Sequence, residues 1–175
     1  MILNHNQIIA RIKRREVIIT PYSESNIGTN SYDVHLGNEL MIYKEMQRHL
    51  DPMISNPTRS IEIPESGYVL DGRFYLACTK ESCENHAKDL VPMIEGRSGI
   101  ARLGLQVHVT AGFGDIGYCG NWTLELVPHK TIIVYPGMPI AQLYWLSTEE
   151  AIHTYKGNYQ NENKTTASRL WRKYD

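Results

Sequence analysis

Apolar residues recur at two spacings in this chain. Near the start, Ile8, Ile9 and Ile12 share one side of a 3.6-residue period, Asn4 is placed to cap, and Lys13, Arg14 and Arg15 gather where a helix C-terminus favours positive charge. That segment predicts a helix. Beyond it the spacing drops to two. Residues 17–20, 32–36, 39–43, 68–70, 74–77, 105–109, 122–127, 131–135 and 140–146 are short runs rich in β-branched and aromatic side chains, and each predicts a strand. Gly37-Asn38, residues 64–67, Asp71-Gly72 and Pro136-Gly137 supply turns between them. The sum is a mainly β domain, a barrel or a sandwich with short helices at its edges. No repeat is visible, which argues against a solenoid or propeller. Residues 152–175 turn polar and basic, with too little apolar surface to pack alone, so they are expected to be disordered or to order on a ligand or a neighbouring chain.

Composition narrows the picture. At 175 residues the chain has the length of one domain, and roughly 70% of its unfolded surface can be buried without help from disulfides or metal. Eighteen Lys and Arg against nineteen Asp and Glu leave a charge of −1, which gives no electrostatic case for binding nucleic acid or an anionic membrane. The most apolar stretch, residues 131–146, is broken by Pro136 and Pro139 and is too short to span a bilayer. The opening residues lack a basic segment followed by an apolar one, so the chain reads as soluble and cytoplasmic. Cys78, Cys83 and Cys119 are odd in number and have no second pair at zinc-ligand spacing; they read as buried free thiols.

Two clusters could carry chemistry. In Glu95-Gly96-Arg97-Ser98-Gly99-Ile100-Ala101-Arg102-Leu103-Gly104, two guanidinium groups and a hydroxyl surround a glycine that permits close backbone approach to an anion; the plain alternative is a basic surface turn. The second runs from His108 to Gly120 and into the strand that follows. Alternation puts Trp122, Leu124 and Leu126 on one face and Thr123, Glu125 and Val127 on the other. Glu125 is then either a paired or solvent-facing carboxylate, or a general base whose partial burial lifts its pKa into a useful range. His35 and His108 read as core or interface histidines, Trp122, Trp145 and Trp171 as packing residues, and the basic run 169–173 as solvated.

Taken together, the sequence resembles the dCTP deaminase and dUTPase superfamily. The resemblance rests on Gly96 to Leu105, His108-Val109-Thr110-Ala111, Asp115-x-Gly117-Tyr118-x-Gly120, Thr123-Leu124-Glu125-Leu126, Pro136-Gly137-Met138 and Gln142-Leu143, with Ser31 to Gly37 and Met1-Ile2-Leu3 also similar, in family order over nearly the whole chain. It implies a distorted β-barrel of the dUTPase-like β-clip kind, one domain over residues 1–175 with a ligand-covering tail at 152–175, forming a homotrimer with active sites between subunits. The His-Val-Thr-Ala stretch before a Leu-Glu strand resembles the deaminase branch. On that likeness Glu125 is the catalytic carboxylate, the backbones of Val109 and Ala111 hold the base and the attacking water, and Ser98 and Arg102 complete the reaction site. Arg97, Ser98 and Gly99 cradle phosphates on the turn they share with Ile100 and Ala101, and Asp115 meets the deoxyribose. Thr123, Leu124, Gln142, Tyr155, Asn158, Tyr159 and Glu162 fill the remaining substrate-binding positions.

The activity implied is hydrolysis of dCTP to dUTP and ammonia without zinc, with Mg2+ accompanying the triphosphate. Neither the H-x-E nor the P-C-x-x-C spacing of a zinc deaminase is present. The alternatives are a bifunctional enzyme giving dUMP and pyrophosphate, whose members residues 110–115 and Gln142 resemble, a plain dUTPase, or a non-catalytic nucleotide-binding regulator. Inhibition by dTTP also follows from the resemblance. Three positions depart from it: Gly99 stands where a second serine is common, Asn158 where a lysine is, and Glu162 where a glutamine is. An anionic Glu162 beside phosphates requires an offsetting charge from Mg2+, Lys156 or Lys164.

Overall fold

A computed structural model describes residues 1–44, 49–151 and 153–174. Ile152 and Asp175, part of the tail as bounded from the sequence, lie outside the described residues. The opening helix is α1, His5–Lys13. Asn4 Oδ1 accepts from the Gln7 N–H at 3.0 Å and Gln7 Oε1 accepts from the Asn4 N–H at 2.9 Å, so two otherwise orphaned donors are satisfied reciprocally. Ile8 is buried, with Ile9 and Ile12 packed beside it.

Ten strands follow: β1 Val17–Thr20, β2 Tyr32–Tyr43, β3 Thr58–Glu62, β4 Tyr68–Leu70, β5 Tyr75–Asn85, β6 Leu90–Gly96, β7 Leu105–Val107, β8 Cys119–Pro128, β9 Ile132–Val134 and β10 Pro139–Ser147, with a one-turn helix α2, Ser98–Ala101, between β6 and β7. Eight of them form one antiparallel sheet in the order β6-β10-β2-β5-β8-β7, with β1 added to β5 and β3 to β2; β4 and β9 pair separately. The sheet nearly closes into a barrel, because the segment after β7 runs along β6: Ile94 donates to the Gly112 carbonyl and Gly114 to the Pro92 carbonyl, each at 2.9 Å. Inside sit Trp145, Tyr32, Tyr75, Leu36, Leu40 and Leu124, all essentially inaccessible. Among the described residues no helix is long and apolar enough to cross a membrane.

The structure corrects the sequence reading in four places. Gly37-Asn38 is not a turn: β2 runs straight through it, and its pairing with β5 shifts register between Leu36 and Leu40. Gly37 suits this bulge because a Cβ there would lie 3.0 Å from the Cys78 carbonyl. β6 was hidden by Pro92, which cannot donate to a ladder, although its carbonyl still accepts. β3 is largely exposed and carries no apolar alternation to read. The tail, finally, orders on its own barrel. Main-chain bonds from Tyr155 to Ile116, Asn161 to Cys119 and Asn121 to Glu162, each 2.8 Å, dock it beside β8, and the tail's own Thr165 is buried.

Candidate active site

The alternation along β8 is as expected: Trp122, Leu124 and Leu126 point into the core while Thr123, Glu125 and Val127 face outward. This same alternation removes Leu124 as a side-chain ligand contact, since its side chain is 0% exposed among core residues. Glu125 and Thr123 help wall a cleft of about 440 Å³, together with Ala111, Asp115 and aromatic residues including Phe74, Tyr118 and an edge of Trp122.

His108 is the residue the sequence reading misplaced. β7 ends at Val107, and the chain turns through His108 at φ 57°, a left-handed conformation uncommon outside glycine. Its backbone N–H donates to the Glu125 carbonyl at 2.8 Å, which keeps the turn against β8. The imidazole then bridges two groups, with Nδ1 2.9 Å from Glu125 Oε2 and Nε2 2.7 Å from the Ala111 carbonyl. The Nδ1 approach is close but off the hydrogen-bond axis, so both of those buried atoms keep unused bonding capacity. The His108 side chain is 5% exposed and Glu125 27%, which gives the carboxylate a buried backing and an open front. Edge-on contact with Trp122, at 6.1 Å between ring centres, fixes the imidazole from behind. Trp122 is held in turn by Tyr118 at 5.2 Å. Burial pushes the Tyr118 hydroxyl well above the usual phenol range, so it stays protonated and donates to the Asn121 carbonyl.

The tail supplies the opposite wall through Tyr155, Tyr159, Glu162 and Thr166. Gln160 clamps it, donating to the Gly117 carbonyl at 2.8 Å and accepting from the Cys119 N–H at 3.0 Å. Gly120 permits the close approach: its φ is 143°, and a Cβ would stand 2.7 Å from the Glu162 carbonyl oxygen. The charge offsetting Glu162 is neither Lys156 nor Lys164 but Arg169, whose Nη1 pairs with Glu162 Oε1. Arg169 therefore leaves the run that was expected to be solvated. Asn158 meets Arg169 through its carbonyl and is not part of the cleft wall.

The other expected site residues lie outside this cleft. Ser98, Gly99 and Ala101 are exposed on α2 and Arg102 just after it, while Ile100 packs against the core. Arg97 Nη2 pairs with Asp33 Oδ2 at 3.1 Å, and Gln142 Nε2 donates to Asp33 Oδ1 at 2.9 Å and to Ser31 Oγ at 3.2 Å. Val109 is 47% exposed and does not line the cleft. One chain thus carries a carboxylate cleft and a separate arginine and serine turn. His35 is satisfied by buried Glu81, 2.6 Å from its Nδ1. Cys78 and Cys83 are buried and Cys119 is half-buried, all as free thiols. Among the described residues, the one group of three potential metal ligands within 4.8 Å of one another is Glu84, His86 and Cys119, none of which lines the cleft.

A family model described as dCTP deaminase-like matches residues 2–147. A protein named "dCTP deaminase, dUMP-forming" from Cytophaga hutchinsonii is 43% identical over 162 residues, 91% of each chain. Another of that name from Clostridium botulinum is 41% identical over 177 residues, covering 100% of this chain and 99% of its own. Among solved structures, a 2'-deoxycytidine 5'-triphosphate deaminase from Agrobacterium tumefaciens shares the fold, with a TM-score of 0.62 at 19% identity over 82% of this chain; the chain spans about half of that protein, 47%.

Proposed function

Because the chain belongs to the dCTP deaminase-like family, we propose that it is a dUMP-forming dCTP deaminase, hydrolysing the amino group from the base and then releasing pyrophosphate. The observation that carries this reading is Glu125, a carboxylate with one side backed by His108 and the other open to an aromatic cleft. Such a group can take a proton from water as its oxygen adds to C4 of the cytosine ring and pass that proton to N3. The carboxylate next takes the proton of the new C4 hydroxyl and hands it to the amine as the C4–N4 bond breaks and the C4 carbonyl forms, giving ammonia and a uracil ring. In the second step another water attacks the α-phosphorus and the α–β bridge breaks, leaving dUMP and pyrophosphate.

The relatives' names favour dUMP over dUTP as the final product, and residues 110–115 and Gln142 agree with that choice. The two-part layout of one chain supports a homotrimer in which Arg97, Ser98 and Arg102 of a neighbour reach the Glu125 cleft. Mg2+ enters with the triphosphate. It is a hard cation suited to phosphate oxygens and waters as its ligands.

The test is product analysis with dCTP and Mg2+, with dCMP, CTP and dUTP as parallel substrates and dTTP as inhibitor. Ammonia, dUMP and pyrophosphate are expected from dCTP. Accumulating dUTP without pyrophosphate would leave a deaminase alone, pyrophosphate from dUTP with no ammonia from any substrate would point to a plain dUTPase, and no product at all to a nucleotide-binding regulator. Glu125→Gln is expected to bind dCTP while ammonia release falls by roughly 10²–10⁴-fold. Undiminished release would remove Glu125 from the mechanism.

A further inference from the structure

Four contacts of Arg169 converge on one short loop of the tail. Its Nη1 pairs with Glu162 Oε1 and donates to the Asn158 carbonyl. Its guanidinium carbon lies 5.9 Å from the centre of the Tyr159 ring, and its backbone N–H donates to the Tyr159 hydroxyl at 2.9 Å. Residues 158–169 are thereby closed into a loop, and its Tyr159, Glu162 and Thr166 face the cleft. The pair is largely shielded, at 15% exposure for Glu162 and 23% for Arg169, and Thr166 Oγ1 donates to the second Glu162 oxygen at 3.0 Å. Shielding matters because an ion pair screened from water is costly to break from one side only.

The cleft already holds Glu125 and Asp115. A third uncompensated carboxylate there would repel a polyanionic ligand. We propose that Arg169 is a positioning residue with two effects: it clasps the tail into a wall of the cleft, and it cancels the charge of Glu162 so that the cleft admits an anionic nucleotide. The choice of ligand rests on the deaminase reading above; the clasp does not. Arg169 touches Glu162 and not the reacting atoms, so its effect falls on ligand capture.

The experiment uses the full chain with Arg169→Met, Arg169→Lys, Glu162→Gln and the Arg169→Met/Glu162→Gln double variant. Arg169→Met is expected to raise the KM for dCTP about tenfold or more with a smaller change in kcat, since the lost pair leaves a shielded charge unmatched. Added salt should lower that KM, because the new repulsion is screened, whereas the wild type responds less. The double variant should recover most of the loss by removing both charges, and Arg169→Lys should recover it by keeping the cation. Trypsin cleavage after Lys164, read by mass spectrometry, should quicken in Arg169→Met. Wild-type KM and wild-type cleavage in Arg169→Met would overturn the proposal, as would a double variant no better than the single one. If the wild type turns over no dCTP, the deaminase reading fails by itself and the cleavage rates still decide the clasp.

Discussion

Gly114 lines the cleft, and replacing it by alanine should injure both stability and turnover. Its N–H donates to the Pro92 carbonyl, and a Cβ there would stand 2.4 Å from Trp122 Cη2, 2.7 Å from the Pro92 oxygen and 3.0 Å from Pro92 Cγ. Neither neighbour yields readily. The Pro92 oxygen is backbone within β6, and Trp122 is buried between His108 and Tyr118. Overpacking of this kind costs about 1–3 kcal/mol, and the lower entropy of the unfolded alanine chain returns about 0.4–1 kcal/mol. With two rigid walls the net loss should be roughly 1–2 kcal/mol, which for a chain of this size lowers Tm by roughly 2–8 °C. If Trp122 gives way, the displacement passes to the His108 ring and to Glu125, where a shift of about 1 Å can cost about 10² in rate. Circular-dichroism melting and steady-state ammonia release measure the two effects. Gly99→Ala is the stability control: nothing lies within 4 Å of its Cβ, and alanine in α2 should raise Tm slightly. A Gly114→Ala protein melting with the wild type at undiminished turnover would refute the argument, because the cleft wall would then be compliant.

Two further outcomes follow from the fold. The Arg11 hydrogen bond holds Asp89 below the usual carboxylate range, and Arg14, then Arg11, does the same for Glu16. Folded-state values below the unfolded ones stabilise the protein fully above about pH 4 and lose that contribution as pH falls through the folded values; Asp89→Asn should therefore lower Tm near neutrality and flatten its acid decline, and an unchanged acid limb would count against the pairing. Thr79 is buried, with Oγ1 donating to the Glu81 carbonyl and accepting from the Trp122 N–H. Thr79→Val keeps the shape and orphans that N–H, so urea denaturation should show a loss of roughly 1–3 kcal/mol.

Local signals in the sequence were legible where one physical cause dominated. The Asn4 cap, the bounds of β1 and β4, and the outward face of Glu125 all follow from residue type and period alone. Where tertiary contact overrides local preference the reading failed. Pro92 argues against a strand until a neighbouring segment is seen to use its carbonyl, and Gly37-Asn38 reads as a turn until β5 is seen to absorb the extra residue. The site divides in the same way. Glu125 stands out as a carboxylate in an apolar strand, while the role of His108 depends on a left-handed backbone at the end of β7 that no short-range spacing signals. Arg97 and Gln142 meet through Asp33 because β10 and β2 are neighbours, with Gln142 opposite Asp33. Arg169 looked solvated because its partners, Glu162 and the Asn158 carbonyl, become neighbours only once the tail doubles back.

The long strand β2 has one more consequence. Its first part pairs with β10, its last part with β3, and Leu40 and Met41 have β3 on one edge and β5 on the other. Leu40 and Met41 cannot open while both neighbouring strands stay in place, so exposing that stretch to deuterium demands loss of the sheet around it. β2 should hold the slowest-exchanging protons of the molecule, and their rates would report global unfolding directly.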